Sequence, residues 1–392
     1  MSIATRSLSI PAIRNIGVIV DRKPQREGDM RLPSGTRLIS ADNHWEITED
    51  IFYRNFPSHL KEKAPRVWFD GFWRIGYRGQ VEALPIGERT TKAIVRTTGV
   101  GEGDWSAARR YRDMDAESVD EEICFPNTLI GFARYPEPAV QEALYRVYNE
   151  HYAAAVINRS GRSHAVGVFS NWWDPAAAEG AMQQIVDLGL KTFMIPVTPG
   201  KSIEGKEIHY QDPIMDRFWD VVAEAGVPVC FHVGEGTDVE HRGGVGALNM
   251  TLMAPFRKPF GQLIFGGVFD RHPNLQVVFA EGGLAWVPPA LQDAEILFDS
   301  FGNGDVIDRL ERRPSEYWYE NCYATFQSDP LGLRQLDSIG VDRCMWATDY
   351  PHTEGAYGYG RTSVRMVVDS TTPDDARAIL GGNATRVFEL GK

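Results

Sequence analysis

Eight short apolar runs recur along this chain with segments of helical periodicity between most of them, and that alternation constrains the fold more than any other feature. The runs are Arg37–Ala41, Glu122–Pro126, His164–Ser170, Lys191–Pro196, Val227–Val233, Leu275–Glu281, Trp318–Ala324 and Arg343–Thr348. Several are too uniformly apolar for a half-exposed sheet and suit parallel strands covered on both faces. The seventh is aromatic and polar as well as apolar, and is the weakest. Helical patterns fall over Pro138–Asn158, Phe260–Arg271, Val287–Phe301 and Pro330–Ile339. Asp174-Pro and Asp212-Pro each open a further helix with an acidic cap followed by proline at the first helical position. Strand–helix alternation of this length predicts parallel β/α units.

Eight such strands favour a closed (β/α)8 TIM barrel over an open doubly wound sheet. The glycine-rich turn of a dinucleotide fold is missing after the first strand, because Gly99-Val-Gly-Glu-Gly103 follows no strand. Residues 1–35 mix Arg, Pro, Gly and Ser without periodicity and read as an N-terminal arm, which leaves 36–392 as the barrel. About 80 residues separate the first two runs, far beyond an ordinary connection. Leaving the carboxyl end of the first strand, residues 47–118 are expected to cap the barrel mouth as a long insertion.

A net charge of −12, with no cluster of basic and aromatic residues, argues against a nucleic-acid partner. No run of 18 or more apolar residues predicts a transmembrane helix, and the first residues lack the apolar core of a secretory signal. Cys124, Cys230, Cys322 and Cys344 each lie in an apolar stretch without metal-site or disulfide spacing. They read as buried thiols of a cytoplasmic protein.

In a β/α barrel, chemistry collects at the carboxyl ends of the strands. The first run delivers Asp42, His44 and Glu46, which alternation would place on one face. The fifth ends in His232, the sixth in Glu281, and the eighth in Asp349 with His352 just beyond. Each alone also has a plain structural reading, as a turn cap or a hydrogen-bonded core residue. Together on one rim they predict a divalent-metal site.

At these residues the chain resembles the amidohydrolase superfamily, in the branch related to aminocarboxymuconate-semialdehyde decarboxylase. The motifs are Ser40-Ala-Asp-Asn-His44, Val229-Cys-Phe-His-Val-Gly234, the stretch from Gly267 through Glu281-Gly-Gly-Leu-Ala-Trp-Val-Pro288, Phe326-Gln-Ser-Asp-Pro330 and Met345-Trp-Ala-Thr-Asp-Tyr-Pro-His352. The resemblance implies a barrel holding one divalent ion, zinc or manganese, with Asp42, His44, His232 and Asp349 as ligands. A register using His44 and Glu46 stays open. Glu281 departs from the pattern, since many decarboxylase-type members carry histidine there. It could act as acid or base, add a ligand, or hold a ligand histidine by a hydrogen bond.

The leading expectation is metal-dependent hydrolysis of a carbonyl-centred bond (amide, lactone or C–C) in a small, aromatic or ring-derived carboxylated compound. Asp349 would orient or deprotonate water, and Glu281 or His352 would protonate the leaving group. The alternative is metal-dependent non-oxidative decarboxylation of an aromatic or enol acid, and a second is a non-catalytic binding barrel. Arg74 in the cap, Trp172 after the third strand and Tyr350 after the eighth are candidate substrate contacts. Trp172 and its neighbour Trp173 could equally pack against a nearby loop. Family analogy adds a homodimer.

Overall fold

The computed structural model describes residues 29–69, 73–76, 106–127, 129, 137–172, 174–202, 204–233, 250, 255–302, 309–352 and 355–391. Eight parallel strands form the central sheet: β1 (Ile39–Trp45), β4 (Glu121–Pro126), β5 (Ser163–Val168), β6 (Thr192–Ile195), β7 (Val229–His232), β8 (Val277–Ala280), β9 (Cys322–Phe326) and β10 (Cys344–Trp346). They pair in that order, each with its successor in the list. A separate antiparallel hairpin, β2 (Arg66–Phe69) with β3 (Trp73–Gly76), lies in the connection between β1 and β4.

The first and last strands meet beyond the end of β10. His44 N donates to Tyr350 O at 2.7 Å and Asp349 N donates to Asp42 O at 2.9 Å, so the ring closes at its carboxyl rim. The (β/α)8 barrel expected from the eight runs is therefore what forms. The strands are buried almost throughout, as uniformly apolar sequence requires when helices cover the outside and side chains fill the interior.

Two expectations shift. The first strand does not stop at Ala41 but runs through Asp42, Asn43 and His44 to Trp45. Ser40 and Asn43 can stay in that buried strand because their side chains find hydrogen-bond partners, as described below. The seventh run is mostly helix: Pro314–Asn321 is helical and β9 starts at Cys322. Trp318 looked like strand because it is apolar, yet it is the buried face of this helix, its indole N–H donating to Ile339 O at 2.8 Å. Proline at the first turn and the Glu316 carboxyl accepting from Arg313 N at 2.7 Å start the helix.

The predicted helix starts largely hold. Asp174 accepts from Ala176 N at 3.0 Å and Pro175 begins the helix Pro175–Asp187. Asp212-Pro instead opens a 3-10 turn, Pro213–Met215, that leads into the helix Asp216–Ala225. Val287–Phe301 is helical over the full predicted range. Among the described residues no helix is long and apolar enough to cross a membrane.

Residues 1–28 of the expected arm lie outside the described residues, and Met30 is already buried in the core, so barrel packing begins before residue 36. Of the expected 47–118 cap, residues 70–72 and 77–105 also lie outside them. The described end of that segment, the helix Ala107–Glu117, is fastened to the barrel by Arg110. This guanidinium is fully buried, donates to both carboxyl oxygens of Glu122 at 2.6 and 2.8 Å, and donates to His44 O at 2.6 Å. Burial alone would raise the Glu122 pKa. The Arg110 charge, with hydrogen bonds from Arg110, Ser163 and Asn43, outweighs it and holds the pKa below the ordinary carboxyl value.

Removing one member of such a pair leaves a buried charge unmatched, a loss of about 3–5 kcal/mol. Arg110→Met is therefore expected to lower unfolding stability by about that amount in urea titrations at neutral pH. Because the folded pKa of Glu122 is depressed, its contribution is present above the unfolded carboxyl pKa and fades as pH falls through the folded one. The deficit of Arg110→Met should accordingly shrink toward acid pH, and a constant deficit would refute this origin.

Candidate metal centre and active site

The centre is built from strand ends. On β1, Ser40 pairs with Glu122 but Asn43 pairs with Cys124, so three residues on β1 advance against two on β4. This bulge re-aims the side chains that follow it. Asn43 turns to the second layer: its Nδ2 donates to Glu122 Oε2 at 2.5 Å, and its Oδ1 accepts from Ser40 Oγ, Thr348 Oγ1 and Tyr350 N at 2.6–2.9 Å. Asn43 thereby ties the residues flanking Asp349 to the strand that carries Asp42 and His44.

Asp42, His44, His232, Glu281 and Asp349 are all buried, and their polar atoms converge. His232 Nε2 lies 3.2 Å from Asp42 Oδ1 and 3.3 Å from Glu281 Oε2. His44 Nε2 lies 3.2 Å from Asp349 Oδ1, 3.7 Å from Asp42 Oδ1 and 4.0 Å from Glu281 Oε2. His352, half-buried beyond β10, places Nδ1 2.8 Å from Asp349 Oδ1 and its ring centroid 4.1 Å from that of His44. Among the described residues two overlapping groups could hold an ion: Asp42, His44 and His232, and His44, Glu281, Asp349 and His352.

The donor set fits a divalent metal. The 2.6 Å contact of His232 Nδ1 with Val233 O requires the proton on Nδ1, because a carbonyl can only accept. That leaves Nε2 unprotonated in the neutral ring and facing the cluster. Among the described residues neither ring nitrogen of His44 finds a hydrogen-bond partner, although the side chain is buried. An orphaned buried imidazole is costly unless something binds it. Burial first, then the neighbouring His352, His232 and Arg110, hold the His44 pKa well below its ordinary value, so it offers a neutral ligand. Three carboxyls share this space while the nearby Arg110 is committed to Glu122, which calls for a further cation.

Glu281 is pushed well above the ordinary carboxyl pKa, by burial first and then by the carboxyl of Asp349, with His232 opposing. For His232 burial lowers the pKa, but the carboxyls of Asp42 and Glu281 and the bond to Val233 raise it overall. Phe125 at the end of β4 forms an apolar wall, 4.4 Å from the His232 ring centroid and 6.1 Å from that of His44.

The structure thus brings together Asp42, His44, His232, Asp349, Glu281 and His352, and it leaves other candidates elsewhere. Glu46 is not in either ligand group: its Oε1 accepts from Ile47 N at 2.9 Å. The common face expected for Asp42, His44 and Glu46 is broken where the bulged strand ends. Trp172 is buried, with its indole N–H donated to Pro199 O at 2.8 Å. Tyr350 is also buried, its hydroxyl donating to Asp113 Oδ2 on the 107–117 helix at 2.7 Å. It ties the turn after β10 to the 107–117 helix. Arg74 is on β3, but its side chain lies outside the described residues, as does the whole of Trp173.

The family profile described as Amidohydrolase matches residues 72–390. The chain belongs to the amidohydrolase family. This amidohydrolase is 25% identical over 297 residues to 2-amino-3-carboxymuconate-6-semialdehyde decarboxylase of Dictyostelium discoideum, covering 73% of the present chain and 77% of the relative. The branch that the motifs resemble is thus supported. An amidohydrolase from Mycobacterium avium subsp. paratuberculosis superposes with a TM-score of 0.70 at 20% identity, covering 90% of this chain and 99% of the other. A 5-carboxyvanillate decarboxylase from Novosphingobium aromaticivorans, solved with bound manganese and 3-methoxy-4-hydroxy-5-nitrobenzoic acid, superposes with a TM-score of 0.63 at 18% identity, covering 94% and 100%. The expectation of hydrolysis is corrected by these relatives, of which the curated one is a decarboxylase. A neutral acid at Glu281 would serve either reaction, so it is the relative and not the site that makes this correction.

Several residues of the site were missed from sequence. Asn43 sits between two candidate ligands and read as loop. Thr325, whose hydroxyl lies 3.5 Å from Asp42 Oδ2, fell just outside the run ending at Ala324, and Arg110 and Glu122 are too far apart in sequence to pair by inspection. The wild-type amidohydrolase and Glu46→Gln are expected to carry stoichiometric metal by elemental analysis. Asp42→Asn and His232→Ala should be substoichiometric with unchanged circular dichroism; full metal in either would break the assignment.

Proposed function

We propose that this amidohydrolase catalyses metal-dependent, non-oxidative decarboxylation of an aromatic or enol carboxylic acid. The observation that carries the reading is the buried acid Glu281 set against the cluster of Asp42, His44, His232 and Asp349. Loss of carbon dioxide breaks a C–C bond and requires a proton at the carbon left behind. A buried carboxyl that favours its neutral form is suited to supply it. The decarboxylase name of the Dictyostelium relative supports the same reaction.

A divalent ion held by Asp42, His44, His232 and Asp349 would draw electron density from the substrate carboxylate and an adjacent hydroxyl. Manganese in the Novosphingobium neighbour supports manganese over zinc. His232 is kept in the correct tautomer by Val233 O, and Asp349 is held in place by the backbone bond to Asp42 O. Glu281 delivers its proton to the reacting carbon, and His352, in contact with Asp349, is placed to restore protonation from solvent. Phe125 excludes water from the histidine side and strengthens the electrostatics within.

The test is turnover of hydroxylated aromatic acids in heavy water with manganese supplied. Carbon dioxide release with one deuterium at the vacated carbon is expected. Incorporation of solvent oxygen into product without carbon dioxide would overturn the reading. Glu281→Gln should keep its metal and lose about 10²–10⁴-fold in kcat.

A further inference from the structure

The motif Phe326-Gln-Ser-Asp-Pro330 has no part in the reaction as described, yet its surroundings are specific. Glu281 has φ of +71°, the left-handed region that costs a non-glycine residue about 1–2 kcal/mol. Such a conformation persists only where neighbouring contacts over-determine it. Those contacts come from one place, the carboxyl end of β9 and the turn after it. Glu281 N donates to Thr325 Oγ1 at 2.8 Å. Three and four residues on, Leu284 N and Ala285 N both donate to Asp329 Oδ2, at 2.7 and 2.8 Å.

Between these clamps lie Gly282 and Gly283, and neither tolerates a side chain. A Cβ on Gly282 would stand 2.4 Å from the Phe256 ring. Gly283 has φ of +71°, and its Cβ would stand 3.1 Å from Asp329 Oδ2. The turn is thus pressed between Phe256 and Asp329 and hung from Thr325.

Asp329 has an ordinary duty as well, capping the short helix Pro330–Leu333 by accepting from Gly332 N at 2.8 Å. That bond uses Oδ1. Oδ2 is given over to the Glu281 turn, which capping alone would not require. Thr325 likewise faces two ways: while accepting from Glu281 N, its hydroxyl is 3.5 Å from Asp42 Oδ2 and oriented to donate to it. It is fully buried, so its position links the backbone of the acid to a carboxyl of the metal cluster.

We propose that Thr325 and Asp329 are positioning residues that hold Glu281 in its left-handed conformation and so aim its carboxyl at the reacting carbon. This inference rests on the reading of Glu281 as proton donor. Both act on Glu281 through the backbone of the 281–285 turn. A misplacement of about 1 Å at such a group costs up to about 100-fold in rate.

The experiment is a set of steady-state measurements on the manganese-loaded enzyme with a substrate that the wild type decarboxylates. Thr325→Val and Asp329→Ala are each expected to lower kcat by about 10- to 100-fold with KM and bound metal unchanged. Thr325→Ser, which keeps the acceptor, should restore kcat to within about threefold of wild type. The same two substitutions placed in Glu281→Gln should produce no further loss, because the group they position is already disabled. If Glu281→Gln alone turns over normally, the proton-donor reading falls and this inference with it. If Glu281→Gln is impaired but Thr325→Val and Asp329→Ala keep full kcat, or cost the same factor in both backgrounds, the positioning role alone is overturned. Should Thr325→Val not fold, Thr325→Ala and Asp329→Ala carry the same comparison.

Discussion

Two backbone hydrogen bonds across the closing seam, from His44 N to Tyr350 O and from Asp349 N to Asp42 O, are the contact on which the rest of this structure depends. They join the first strand to the residues beyond the last. In the same stroke they bring Asp42 and His44 beside Asp349, although some 300 residues of chain separate them. Barrel closure and assembly of the candidate centre are therefore one event. A sheet left open at this edge would keep all eight strands and lose the site.

Around the seam, the protein places buried polar groups where an apolar core would otherwise be favoured. Ser40, Asn43, Thr348 and Glu122 form a connected set, and Arg110 completes it from the 107–117 helix. Each member satisfies another, which is what keeps the cost of burying them acceptable. The inner cluster is different. Neither ring nitrogen of His44 has a hydrogen-bond partner among the described residues, and three carboxyls crowd two buried imidazoles. The outer set is complete by itself; the inner set is complete with a cation. That contrast separates scaffold from site more clearly than burial does, since both are buried.

Much of this was legible in the residues. Uniformly apolar runs such as Val227–Val233 and Leu275–Glu281 marked buried parallel strands, because only strands covered on both faces can be apolar at every position. His232, Glu281 and Asp349 stood out as ionisable groups closing such runs. Other assignments failed for identifiable reasons. Trp318 is apolar in a way that periodicity cannot divide between strand and helix over so short a stretch. Glu46 shared the alternation of Asp42 and His44, but β1 ends at Trp45 and Glu46 lies beyond it, where alternation no longer applies. Which polar atoms Tyr350 and Trp172 spend on neighbouring elements could not be read from their places after strand ends.

The sequence by itself determined the class of fold, the family and the rim on which the ionisable residues would gather, because these follow from local apolarity, chain order and the fixed direction of parallel strands. What only the tertiary structure decided is which of those residues meet and in what state. The pairing of Asp42 rather than Glu46 with His232 follows from where β1 ends, whereas the lowered pKa of His44 and the raised pKa of Glu281 arise from desolvation and from charges distant in sequence.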